Sequence, residues 1–268
     1  MKRRTFIAAA GAGLAASGLA VTSNAQSSGA GSGDRPTVLL AHGAWSAAWS
    51  WKKMRPLMAA AGFPFITPTY TGLGEREHLA NPSVDLETHV QDILGVIKHE
   101  ELKDFVLLAH SYGGMVATVV ADRVPELIRK IIYLDAFVPK DGQSLVSLMP
   151  PQAQEAMRAN VKAGDGWRAP PNPPPPDTSP EDVRWIAAHR MPQPFKCFDT
   201  PVKLRNGDSK VPRAYIRCTR VAPGDTFLPF AERAKRERWS YHEIDASHSP
   251  AVTAPEALAT LLAKIIAE

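Results

Sequence analysis

Apolar runs of seven or eight residues recur along this chain with helical patterns between them. Such runs are "TVLLAHG" (37–43), "FPFITPTY" (63–70), "DFVLLAHS" (104–111), "KIIYLDAF" (130–137) and "RAYIRCT" (213–219), and the more polar "SYHEIDA" (240–246) reads as a further strand. A strand that is apolar throughout is buried on both faces, which is the condition of a parallel sheet covered by helices. Helical patterns separate them at 47–61, 85–100, 113–124, 227–238 and 254–267. The pattern predicts an α/β fold with a mostly parallel central sheet and helices on both faces.

One segment breaks the alternation. Residues 140–208 are rich in proline, with "RAPPNPPPPDTSP" at 168–180, and two short helical patterns flank that tract. Proline cannot enter a central strand because it lacks the N–H of the ladder. Long segments of this kind inside a domain are usually lids or linkers; a Pro-rich helical cap insertion is expected here, with a long surface loop as the alternative. The tract could also dock into an aromatic groove as a polyproline helix, but a stiff connection within the cap is the simpler expectation. Apolar side chains available in the cap for a substrate are Leu148, Met149, Trp185, Met191 and Phe195.

Residues 1–25 read as a leader. A basic start with Arg3-Arg4-Thr5-Phe6-Ile7, an Ala/Gly stretch and small residues at Ser23-Asn24-Ala25 match a twin-arginine-type signal peptide. Residues 26–35 read as a flexible tail and residues 36–268 as the folded domain. The expected location is periplasmic or secreted. The stretch "GAGLAA" fits a dinucleotide fingerprint but lies in this leader with no strand before it, so it fails its structural condition. The formal charge is +4, and removing Lys2, Arg3 and Arg4 leaves +1. Near neutrality gives no electrostatic footprint for nucleic acid. No stable membrane insertion is expected after leader removal. Cys197 and Cys218 leave a disulfide and two buried thiols as open alternatives, and oligomeric state is open.

The chemistry centres on "LLAHSYGGM". Ala109-His110-Ser111-Tyr112-Gly113, between an apolar strand and a helical pattern, is the spacing of a nucleophile elbow: small residues two before and two after the serine allow the sharp turn. Ser111 is the candidate nucleophile. His248, in "DASHSP" after the last strand, is the candidate base. Asp135, at the carboxyl end of "IIYLDAF", and Asp225, after a Pro-Gly turn, are both candidates for the acid that orients it. The N–H groups of Ala44 and Tyr112 are the candidate oxyanion hole. Trp45 and Trp185 are candidate substrate-binding residues. His42 and His110 flank the site in turns; His78, His89, His99, His189 and His242 read as surface or structural. No metal-ligand spacing is present, and no cofactor is implied.

These motifs, with "HGAWSAAWSWKKMRPLMAAAGF", "TYTGLGEREHL", "IYLDAFVPKDGQSL" and "DASHSPAVTAPEALATLL", resemble the α/β-hydrolase fold. The likeness is to the group of plant methylesterases, hydroxynitrile lyases and bacterial pyrethroid-type esterases, and covers about residues 36–268. The resemblance implies an eight-stranded, mostly parallel sheet, trimmed here at the amino end, with a helical cap between the sixth and seventh family strands. This chain departs from the family in carrying Ala109 where glycine is usual. It also lacks an acid near Arg220 and Val221. Hydroxynitrile lyases of the group carry a threonine where this chain has Gly43 and a lysine where it has Ser249. The resemblance therefore implies a serine esterase acting on a small-molecule ester, with apolar groups of small to medium size. Alternatives are lyase or carbon–carbon hydrolase chemistry on the same triad, or a binding protein that turns over poorly.

Overall fold

The computed structural model describes residues 35–207, 209–221 and 225–268. The expected leader and all of the tail but Arg35 lie outside them. In chain order the strands are β1 (Val38–Ala41), β2 (Phe65–Ile66), β3 (Phe105–His110), β4 (Ile128–Leu134), β5 (Arg168–Ala169), β6 (Gln193–Pro194), β7 (Arg213–Cys218) and β8 (Ser240–Ile244). The helices are α1 (Met54–Ala60), α2 (Leu86–His99), α3 (Gly113–Arg123), α4 (Pro151–Ala163), α5 (Pro180–His189), α6 (Lys196–Asp199), α7 (Leu228–Arg236), α8 (Pro250–Thr253) and α9 (Pro255–Ala267).

Six strands form one sheet in the order β2-β1-β3-β4-β7-β8, and every neighbouring pair is parallel. Successive residues of each strand face opposite sides. Leu39, Leu107, Ile131 and Tyr215 enter one core with Val90, Val116 and Phe230 of α2, α3 and α7. Val38, Leu108, Ile132 and Ile216 enter the other with Met54, Met58, Leu258 and Leu262 of α1 and α9. Each fully buried side chain of this size contributes about 1.5–3 kcal/mol, so both faces of the central strands must be apolar, as their sequences are.

Two elements are shorter than their patterns suggest. The run at 63–70 gives only the two-residue β2 at the sheet edge; Pro68 offers no N–H to continue a ladder. The amphipathic stretch 47–61 divides into a 3₁₀ turn at Ala48–Trp51 and then α1. α2 begins where a capping box forms: the Asp85 carboxylate accepts from the Thr88 N–H at 2.9 Å. Such a cap contributes about 1 kcal/mol.

The segment between β4 and β7 holds α4, α5, α6 and the small antiparallel pair β5–β6. It is fastened to the body by the Lys53–Asp182 ion pair at 2.8 Å and by the edge-on packing of Trp49 against Trp185 at 5.3 Å. No helix among the described residues is long and apolar enough to cross a membrane.

Candidate active site

β3 lies between β1 and β4 and is buried until its last residue, where the backbone turns sharply. Ser111 takes a left-handed φ of 55°, which an L-residue adopts only when its surroundings hold it. Its N–H donates to the Leu134 carbonyl at 3.2 Å, and its own carbonyl accepts from Gly114 at 3.1 Å and Phe137 at 3.2 Å. The two glycines that follow are sterically required: a Cβ at Gly113 would collide with the carbonyl oxygen of Ala41, and one at Gly114 with that of Phe137. α3 therefore packs against the strand ends closely enough to lift the serine hydroxyl above them.

His248 lies in the loop between β8 and α8. Its Nε2 stands 2.9 Å from Ser111 Oγ and its Nδ1 2.7 Å from Asp135 Oδ2. Asp135 caps the end of β4, is buried, and also has a left-handed φ, of 42°. Its other oxygen accepts from the Cys218 N–H at 3.4 Å. A carboxylate can only accept here, so Nδ1 carries the proton and the Nε2 lone pair faces the serine. The imidazole packs against two rings, Phe227 stacked at 4.6 Å and His110 tilted at 4.9 Å. His110 Nε2 also donates to the His248 carbonyl at 2.7 Å.

Asp225 lines the same cavity but stands apart from this line. One oxygen pairs with Arg217 at 2.8 Å; the other accepts from the N–H groups of Phe227 at 3.0 Å and Leu228 at 3.2 Å, at the start of α7. It fixes the residue that stacks on His248 rather than contacting the ring.

Ala44 and Tyr112 lie on the two loops beside Ser111. Neither backbone N–H has an acceptor among the described residues. The first loop is held from the cap: the Trp45 N–H donates to Gln193 Oε1 at 2.8 Å, and its indole N–H to the Ala169 carbonyl at 3.0 Å. Trp45 too has a left-handed φ, of 54°. Gln193 is a contact that a lone glutamine in "RMPQPFK" gave no sign of. Tyr112 is buried and its hydroxyl bonds His89 Nδ1 at 2.9 Å.

Above these groups is a cavity of about 400 Å³ walled by Trp45, Trp49, Phe137, Leu145, Met149, Met157, Ile186 and Phe198, among others. Trp185 does not line it, contrary to expectation. Its ring packs against Trp49 and His189, and Trp49 presents the aromatic surface instead. Of the other cap candidates Met149 reaches the cavity; Leu148, Met191 and Phe195 pack against the core. Cys197 and Cys218 are separate buried thiols. Among the described residues, no three His, Cys, Asp or Glu side chains stand together in a way that could hold a metal ion.

Three further histidines stand around the site, His42 and His89 wholly buried and His110 partly so. Burial lowers the pKa of His42 to about 3, of His89 to about 4 and of His110 to about 3. Each stays neutral in the folded protein while the unfolded chain binds a proton near pH 6.5. The unfolded state therefore gains protons first as pH falls, and folding stability is lost from about pH 6.5 down to about pH 4 for His89 and about pH 3 for His42 and His110, by at most ~1.4 kcal/mol per pH unit for each ring. Urea unfolding at pH 7 and at about pH 5 is expected to show a clearly lower midpoint in acid, and replacing His42 or His89 with an uncharged residue of similar shape should flatten that slope.

The model of the alpha/beta hydrolase family matches residues 38–261. The chain belongs to the alpha/beta hydrolase family. A carbendazim hydrolyzing esterase of Nocardioides sp. (strain SG-4G) is 37% identical over 241 residues, which cover 85% of this chain and 98% of the relative. An extracellular alpha/beta-hydrolase from a Paenibacillus species, described as sharing structural and functional homology with tobacco salicylic acid binding protein 2, superposes with a TM-score of 0.74. It is 25% identical and covers 85% of this chain and 98% of its own. Methylesterase MES16 from Arabidopsis shares the fold, with a TM-score of 0.66 and 22% identity over 87% of this chain and 99% of that one. This alpha/beta hydrolase is an esterase.

Proposed function

We propose that this esterase works through a Ser111–His248–Asp135 triad and an acyl-enzyme. The observation that carries the reading is the unbroken hydrogen-bonded line from Asp135 to His248 to Ser111, at 2.7 and 2.9 Å. His248 Nε2 takes the Ser111 proton as Oγ attacks the ester carbonyl carbon. Negative charge develops on the carbonyl oxygen, and the unengaged N–H groups of Ala44 and Tyr112 receive it. The imidazolium, its charge balanced by Asp135, then protonates the leaving alcohol. Water enters, gives its proton to Nε2 and attacks the acyl carbon, which frees the acid and restores Ser111. No step needs a cofactor.

The substrate is an ester with apolar groups of small to medium size, as the cavity's aromatic and aliphatic walls suit. The chain is exported by its twin-arginine-type leader, residues 1–25, and residues 36–268 are the catalytic domain, with a cap at about 140–208. Gly43 lacks the threonine hydroxyl and Ser249 the lysine amine that hydroxynitrile lyases of the group carry at these positions, so hydrolysis is the reading preferred over cyanide release.

A fluorophosphonate probe tests the reading. One adduct per chain is expected, on the peptide that bears Ser111, with ester hydrolysis lost in step with labelling. Hydrolysis that survives full labelling of Ser111, or labelling confined to another serine, overturns it.

A further inference from the structure

We infer that the cavity recognises a carboxylate on the ester substrate through Arg190, so that the substrate class includes monoesters of dicarboxylic acids. The inference rests on the esterase reading above and narrows it. Charged side chains on the cavity wall are otherwise matched: Asp135 with His248, Asp225 with Arg217, and Arg220 with Asp245. Arg190, just past the end of α5, has no carboxylate partner among the described residues. Its one hydrogen bond runs from Nη1 to the carbonyl of Asn172 in the proline tract, at 2.6 Å.

No other hydrogen bond of this guanidinium is found among the described residues, and Arg190 lines the cavity. The side chain is itself half-buried, and burial pushes its pKa down with no acid opposing the shift. A cation drawn out of water without a counter-charge costs free energy. Holding one backbone carbonyl does not require that charge, because a neutral amide would serve. A planar fork with free donors, in a cavity with mostly apolar walls, matches a carboxylate in two parallel hydrogen bonds. Arg190 lines the same cavity as Ser111 and His248, so one ligand there can meet both the cation and the nucleophile.

The test compares monomethyl with dimethyl esters of succinate, glutarate and adipate, followed by pH-stat, in the wild type and in Arg190→Gln and Arg190→Lys. For at least one chain length the wild type is expected to favour the anionic monoester in kcat/KM, mainly through KM, and to lose that preference in about 0.5 M salt. Arg190→Gln should lower the monoester-to-diester ratio by about tenfold or more, and Arg190→Lys by less. A wild-type preference for the diester at every length, or a ratio unchanged in Arg190→Gln, overturns the inference. Calorimetric titration with glutarate separates the two readings if no ester is turned over. Binding that is lost in Arg190→Gln supports the carboxylate site and no binding overturns it, whereas the triad mechanism stands or falls on fluorophosphonate labelling of Ser111.

Discussion

Replacing Ser111 with alanine is expected to lower kcat for any turned-over ester by about 10⁴- to 10⁶-fold while leaving the fold in place. The hydroxyl's recorded partner is His248 Nε2, at 2.9 Å, so removing it strands no buried donor or acceptor. Alanine inherits the same left-handed backbone, with φ of 55°, and the elbow stays held by the bonds to Leu134, Gly114 and Phe137. Melting temperature should therefore shift by only a few degrees, as for a change of about 1 kcal/mol or less. The residual rate should still exceed the uncatalysed one, because the Ala44 and Tyr112 N–H groups and the cavity are untouched. Steady-state kinetics beside a thermal melt decides the matter. A folded Ser111→Ala protein that retains more than a few per cent of wild-type turnover would remove Ser111 as nucleophile.

The placing of Ser111 is legible in the sequence because the turn that holds it tolerates few alternatives. An apolar strand must end, the chain must reverse without a Cβ at two following positions, and a helix must start at once; "LLAHSYGGM" permits little else. Ala109 in place of the family's glycine is harmless: its position is fully buried and a methyl group fits there. The parallel sheet is legible for a similar reason, since only strands buried on both faces are apolar throughout. The cap is visible in the sequence only as an interruption. Where it puts each side chain depends on how its proline tract folds back over the body, and no periodicity records that. Trp185 and Trp49 show the difficulty. Both are aromatic residues in helical surroundings, and only their mutual packing decides which one faces the cavity. Gln193 and Arg190 are hidden likewise: Gln193 meets Trp45 far along the chain, and Arg190 reaches the cavity wall only through the folding of the cap.

The choice between Asp135 and Asp225 is a case where sequence offers two acids and contact geometry separates them. Asp135→Asn is expected to reduce kcat/KM by about 10⁴-fold. An amide of the same shape can offer its NH₂ to His248 Nδ1, which turns the imidazole to the wrong tautomer and points a proton rather than a lone pair at Ser111. It also removes the negative charge that balances the imidazolium in the transition state. Asp225→Asn should cost less than about tenfold. Its carboxylate acts on Arg217 and on the first N–H groups of α7, and an amide oxygen still accepts from Phe227 and Leu228. What it loses is a partly exposed ion pair, worth about 1 kcal/mol or less, with a slightly looser Phe227 against the histidine ring. Kinetics of both variants on one ester, with fluorophosphonate labelling rates as a second reading of serine reactivity, distinguish them. Equal losses, or a larger loss at Asp225, would show that the orienting charge reaches His248 by some route other than the 2.7 Å bond from Asp135.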